Sequence, residues 1–269
     1  MLFCPQGIPH VDDRYRNIYQ SGYVVGEPLN IDSLELHHGE FQELDRGFDF
    51  YAPQTMMDAE GNRILIGWMG LPDINYPTDD HGWAHCLTLP RKLSLREGKL
   101  IQQPLPELAG LRQGEQQQIT DTLHAETKSY PDFRGTSYEL ICNFKVFDAT
   151  EVGIVFRAKD DEHTILRYDL TQQKLILDRS ASGHPVATQY EETRQCDMTG
   201  ENITLHLFVD VSSVEIFVND GDEVFTSRIF PDSSSDGIQF FAQGGKALLH
   251  AKKWELSTPV SKLSEKHNI

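Results

Sequence analysis

The chain has 269 residues, 39% of them hydrophobic and 10% aromatic, with a formal charge of −17. That length and composition suit one large or two ordinary globular domains with real cores and argue against disorder. The acid excess, spread over both halves of the chain, repels phosphate backbones and excludes broad nucleic-acid binding.

Taken in chain order, the strand signals come first. The opening "MLFCPQGIPH" lacks the basic start, long apolar stretch and cleavage site of a signal peptide, and reads as a chain entering in mid-strand. "NIYQSGYVVG" (17–26), "DFYAPQTMM" (49–57), "RILIGWMG" (63–70) and "AHCLTLPRKLSL" (84–95) are short apolar or alternating runs bounded by Gly, Pro, Asn and Asp. "DAEGN" (58–62) and "REGKL" (96–100) supply turns. One segment is helix-like: in "PLPELAGLRQ" (104–113) Leu105, Leu108 and Leu111 recur every three residues, and Gly114 ends the turn. It is a natural junction.

Strands resume beyond it. "SYELICNFKVF" (137–147), "EVGIVFRAK" (151–159), "HTILRYDL", "KLILDRS", "GIQFFAQGG" and "ALLHAKKWEL" each read as strand. "ITLHLFVDVSSVEIFVNDGDEVFTSRIFP" (203–231) holds about three, with Asp220-Gly221 as a tight turn and Val214, Ile216 and Val218 on a buried face. Regularly spaced antiparallel strands with so little helix predict an all-β chain ending in a β-sandwich, and the first region suggests fragments of blade-like units. The boundaries are a strand-rich region over 1–103, a short helical junction over 104–114, a sandwich over 115–258 and a polar tail over 259–269.

Cys4, Cys86, Cys142 and Cys196 are far apart and form no CxxC pair, as in a reduced cytoplasmic protein. No run of 18 apolar residues offers a membrane span. His37-His38 and the His81–His85 pair raise the question of a metal. An H-x3-H spacing suits a helix face, whereas residues 81–89 read as turn into strand, so no metal is expected, and the residues ask for no other cofactor.

Three stretches carry more than periodicity: "LELHHGEFQELDRGFDFYAPQT", "RILIGWMG" and "GWAHCLTLPRKLSLREGKLIQQPLPEL". Together with "VDVSSVEIFVNDGDEVFTSRIFP" they resemble glycoside hydrolase family 32, above all its bacterial branch acting on sucrose-6-phosphate or sucrose, over residues 1–256. The resemblance implies a five-bladed β-propeller followed by a β-sandwich. It also implies cleavage of terminal β-fructosides with retention, by an aspartate nucleophile, a glutamate acid/base and a second, stabilising aspartate. A retaining site holds its nucleophile and acid about 5–5.5 Å apart.

Those carboxylates sit in family motifs of the form WxNDPNG, RDP and ECP, and none of the three occurs here. Cys4-Pro5 is preceded by Phe3 where the acid is needed, and "FCPQG" resembles the strand after the ECP strand. The expectation is therefore a partial propeller, its last blades only, with no catalytic residue. Asp45, Asp49, Asp79 and Asp80 are available carboxylates, but their pattern carries no specific catalytic signal. By the resemblance "FYA" lies on the innermost strand of the last blade. Alternation then sends Phe50 one way and Asp49 and Tyr51 the other, while Trp68 walls the pocket. Asp49, Tyr51 and Trp68 are thus the candidate substrate-binding residues, for a fructoside sugar packing its C–H face on the rings. Arg14, Arg16 and Arg63 are phosphate candidates only by nearness in sequence. The rival reading is a non-catalytic β-sandwich for glycan binding or assembly. A partial ring also leaves unpaired edges, which predicts a loose propeller remnant, or one paired with a missing N-terminal half or a second copy, beside a stable sandwich.

Overall fold

The computed structural model describes residues 1–257; the tail placed at 259–269, and residue 258 before it, lie outside them. The first strands are β1 (Leu2–Phe3), β2 (Gly22–Tyr23) and β3 (Gln42–Glu43), which pair as one small antiparallel sheet. Of the strand expected over 17–26, only β2 forms. Side chains in that run bond to backbone carbonyls instead: Gln20 Nε2 donates locally to Asn17 O at 2.7 Å, and Asn17 Nδ2 donates to the distant Gly47 O at 2.9 Å.

The next unit is a meander of β4 (Tyr51–Met57), β5 (Arg63–Met69), β7 (Arg91–Arg96) and β8 (Lys99–Pro104), with β6 (Cys86–Leu87) added beside β5. Phe50, Leu65, Leu93, Tyr23 and Leu44 form the core between this meander and the small sheet. The junction is a 3-10 turn over Pro106–Leu111, and the expected helix does not extend through Arg112 and Gln113. A leucine every third residue matches three residues per turn, and the chain passes straight into strand at Arg112.

The remaining strands are β9 (Arg112–His124), β10 (Thr127–Arg134), β11 (Tyr138–Val146), β12 (Glu151–Lys159), β13 (Glu162–Asp169), β14 (Lys174–Ala181), β15 (Thr193–Asp197), β16 (Asn202–Asp210), β17 (Ser213–Val218), β18 (Glu223–Arg228), β19 (Gly237–Gln243) and β20 (Lys246–Leu256). They make two six-stranded sheets, ordered β10-β19-β12-β13-β14-β15 and β18-β17-β16-β11-β20-β9. One hydrophobic cluster draws on both, with Cys142, Phe144, Leu205 and Ile216 from one sheet and Phe156, Leu166, Leu177 and Phe240 from the other. Val214, Ile216 and Val218 are fully buried in it, as their alternation predicts. Their neighbours Glu215 and Phe217 are buried too, because the meander covers the other face of β17; Phe217 packs with Phe208, Val224, Leu89 and Leu108.

The meander and the two sheets are joined through buried contacts. Phe48, just before β4, inserts into the core of the two-sheet unit and is only 2% exposed. Arg179 and Arg194 lie over its ring at 3.9 and 4.3 Å. Arg194 sits beside a second cation, and burial lowers its pKa to about 10. Arg46 donates to Glu223 at 2.8 Å and to Glu43 at 2.7 Å, and Lys99 reaches Glu223 at 2.7 Å. Asp13 pairs with Lys174, and Arg16 with Glu191.

These ties narrow the expectation of a loose first region to one segment. Residues 26–40 are exposed throughout except Leu36, and their backbone is held by the bridges Gly26–His38 and Asn30–Glu35 and by the Asn30 side chain, which accepts the amides of Asp32 and Ser33. Brief limited proteolysis should therefore nick the chain within 26–40. The two products should co-elute on gel filtration until denaturant is added. Progressive loss of everything before residue 105 would show that these contacts do not hold the first region.

Candidate functional site

The site grows from the opening of β4. Tyr51 faces Trp68 directly across the β4–β5 ladder, and the register shifts between Tyr51 and Gln54. Ala52 within that irregularity has φ of 45°, a left-handed value uncommon outside glycine, at a bulge of the kind that re-aims side chains. Phe50 turns the other way and packs on Gly67, where a Cβ would sit 2.3 Å from its ring.

A row of rings follows from Tyr51. Tyr19 is 5.2 Å away on one side and Trp68 6.1 Å on the other, measured between centroids. His85 lies against Trp68 at 4.7 Å, tilted by 39°, and meets Tyr76 nearly at right angles at 5.1 Å. Tyr19, Tyr51 and Trp68 are half-buried and offer part of their surface outward, whereas Tyr76 is buried beneath them. Such a wall pairs flat apolar faces with hydroxyl and indole polar tips, the combination that takes sugars.

Asp49 lies under this wall. It is fully buried. One carboxylate oxygen accepts the Tyr76 hydroxyl at 2.5 Å; the other accepts Arg179 Nη1 and the Arg228 amide, both at 2.8 Å. Tyr51 and Trp68 face each other with part of their surface outward, whereas Asp49, expected beside Tyr51 as a sugar-binding group, is buried with both oxygens taken by protein donors and offers nothing to a ligand. Burial, followed by the Asp49 charge, pushes the Tyr76 hydroxyl up, so Tyr76 stays a neutral donor. Burial, followed by the nearby Arg228 cation, pushes His85 below its usual value.

The other carboxylates weighed from sequence sit elsewhere. Asp45 accepts Arg91 Nη1 at 3.0 Å, Thr226 Oγ1 at 2.6 Å, and the amides of Thr226 and Gly47 at 2.8 Å each. Asp79 and Asp80 are exposed on a short 3-10 turn, Pro77–His81, where Asp79 accepts the Tyr76 amide at 3.3 Å. His81 is exposed on the same turn. Among the described residues no group of three or more His, Cys, Asp or Glu is placed to hold a metal ion. Arg14 and Arg63 are exposed, and Arg16 is bound to Glu191 at 2.6 Å.

Sequence reasoning missed Tyr19, Tyr76, His85 as a ring partner, Arg179 and Arg228. Each is distant in sequence from Tyr51, and the one local signal is an arginine inside an apolar strand, as in "LILDRS" and "VFTSRIF".

Comparison with known proteins bears on both units. Residues 1–104 match the glycosyl hydrolases family 32 N-terminal domain, and residues 107–256 match the glycosyl hydrolases family 32 C-terminal domain. Sucrose-6-phosphate hydrolase from Staphylococcus xylosus is 46% identical over 256 residues, covering 95% of this chain and 51% of that protein. The Bacillus subtilis sucrose-6-phosphate hydrolase is 38% identical over 259 residues, again 95% of this chain and 51% of the relative. The structure of sucrose-6-phosphate hydrolase from Lactobacillus gasseri superposes with a TM-score of 0.82 at 32% identity, over 95% of this chain and 51% of that one. A β-fructofuranosidase mutant from Bombyx mori, solved in complex with sucrose, superposes at 0.74 with 30% identity, over 95% and 51% of the two chains. The chain thus spans about half the length of the relatives it matches. Two family models that together span nearly all of the described residues place it plainly: the chain belongs to glycosyl hydrolase family 32.

Proposed function

We propose that this chain forms the C-terminal part of a retaining β-fructofuranosidase that hydrolyses sucrose-6-phosphate or sucrose in the cytoplasm. The small sheet and the meander are the last blades of a partial propeller, and the two six-stranded sheets are a β-sandwich. The chain contributes scaffold and the Tyr51–Trp68 wall against which the fructoside packs. The nucleophile, the stabilising aspartate and the acid/base glutamate come from polypeptide bearing the three motifs this chain lacks. The observation that carries the reading is the 46% identity to a sucrose-6-phosphate hydrolase, which runs through both units. One fact supports a non-catalytic role for the chain by itself. Its buried Asp45 and Asp49 are each bound by several protein donors, and those donors already take the place a reacting group would need. Four free thiols suit a reducing compartment.

The test is complementation. The purified chain should release no fructose from sucrose or sucrose-6-phosphate above a blank. Mixed with a separately made N-terminal half of the Staphylococcus xylosus relative, it should hydrolyse at least one of the two. Rapid hydrolysis by the chain alone would overturn the reading.

A further inference from the structure

We infer that Arg179, which belongs to the two-sheet unit, is a positioning residue for the aromatic wall of the meander. The inference rests on the reading of that wall as the fructoside-binding surface. Arg179 is 7% exposed and points out of β14 into the space under Asp49. Its Nη1 donates to Asp49 at 2.8 Å and to Arg228 O at 3.1 Å, and Nη2 donates to Val186 O at 3.3 Å. Its plane lies 3.9 Å over Phe48, so stacking and hydrogen bonds together fix one geometry. Asp49 in turn orients the Tyr76 hydroxyl at 2.5 Å. The Tyr76 and His85 rings meet nearly at right angles, and His85 also touches Trp68 and the bare backbone of Gly70, where a Cβ would fall 2.8 Å from the imidazole.

Every link in this series is in contact; Asp49 and Tyr76 are buried and His85 is half-buried. Arg179 touches neither Tyr51 nor Trp68 in this series, so it acts through Asp49 and Tyr76. Its removal leaves a buried carboxylate short of its cation, and that carboxylate must shift or draw in water. Either response releases the Tyr76 hydroxyl and lets His85 and Trp68 slide. A misplaced wall weakens sugar binding in ground state and transition state alike, which raises KM and leaves kcat nearly unchanged.

The experiment has a spectral arm and a kinetic arm. The chain holds three tryptophans, so Trp83→Phe and Trp254→Phe leave Trp68 as the sole indole reporter. In that background Arg179→Met should red-shift Trp68 emission and weaken its near-ultraviolet circular dichroism, with the far-ultraviolet spectrum intact. In the complemented enzyme the same substitution should raise KM about tenfold with kcat within about threefold, and Arg179→Lys should recover part of the loss. A purely structural role predicts instead fewer active molecules with an unchanged KM. If Arg179→Met does not fold, Arg179→Lys carries the test, with smaller changes of the same sign. A folded variant with an unaltered Trp68 signal, or an unaltered KM, overturns the inference. If complementation with the unsubstituted chain yields no hydrolysis, the fructosidase reading fails by itself, and the spectral arm alone decides whether Arg179 sets the wall.

Discussion

Arg91→Met should destabilise the folded chain by about 3–5 kcal/mol, the cost of removing one partner from a buried ion pair. Arg91 is fully buried and binds four side chains that lie far apart in sequence. Nη1 donates to Asp45 and to Gln102, both at 3.0 Å; Nη2 donates to Glu215 at 2.8 Å and to Thr226 Oγ1 at 2.6 Å. Phe50 and Phe217 flank the guanidinium at 4.9 and 5.5 Å. Two carboxylates therefore share one cation in a place closed to bulk solvent. Burial already pushes the Glu215 carboxyl up, and Arg91 is the largest influence pulling it back. With methionine at position 91 that pull is gone, and Glu215 must take a proton or reach water by opening the junction. Urea unfolding followed by circular dichroism measures the loss. Adding Asp45→Asn and Glu215→Gln to Arg91→Met should recover a large part of it, because two neutral amides replace two orphaned charges. A loss below about 1 kcal/mol, the size of an exposed pair, would mean that the junction is wet.

How far the sequence reveals this arrangement depends on where each strand lies. β11–β14 and β16–β20 were legible because each buries one or both faces, which forces alternation or a continuous apolar run. The strands the sequence does not reveal, β3, β9, β10 and β15, are all sheet edges. Edge strands keep much of their surface in water, so "GEQQQIT" and "TRQCD" carry little apolar pattern. β17 shows a second limit. Val214, Ile216 and Val218 predict one buried face, yet Glu215 and Phe217 on the other face are equally buried once the meander docks. Docking is a tertiary event, and a single charged residue in a strand does not announce it. The site divides the same way. Tyr51 and Trp68 were found because the resemblance located them, and β4–β5 pairing sets them face to face. The supports of Asp49 were not, because Arg179 and Arg228 are 130 and 179 residues away and no local spacing links them.

Gly47→Ala should be the most damaging of the small substitutions, at about 3 kcal/mol or more, the upper range of overpacking with the loss of several hydrogen bonds added. A Cβ at Gly47 would stand 2.1 Å from Thr226 O and 2.3 Å from Thr226 N, both backbone atoms of β18 that have no rotamer by which to escape. The segment around Gly47 wraps this one residue. Thr226 O accepts the amides of Phe48 at 2.8 Å and Asp49 at 3.2 Å, and the Thr226 amide donates to Asp45 at 2.8 Å. To admit a methyl group, residues 45–49 must back away from β18. That motion draws Phe48 out of the two-sheet core, loosens Asp45 from Arg91 and separates Asp49 from Arg179, so one added carbon strikes three anchors together. Gly39→Ala is the control: its nearest atom would be Val25 O at 3.6 Å, an ordinary contact, and its cost should stay within about 0.5 kcal/mol. Both variants are compared by urea unfolding, with Trp68 emission as the second signal. Because Gly47 lies four residues before Tyr51, the fraction of Gly47→Ala that stays folded should also show a displaced Trp68. Equal stability of the two variants would mean that the 45–49 segment does not clasp Thr226, and that the meander is carried on the two-sheet unit by its side-chain ion pairs alone.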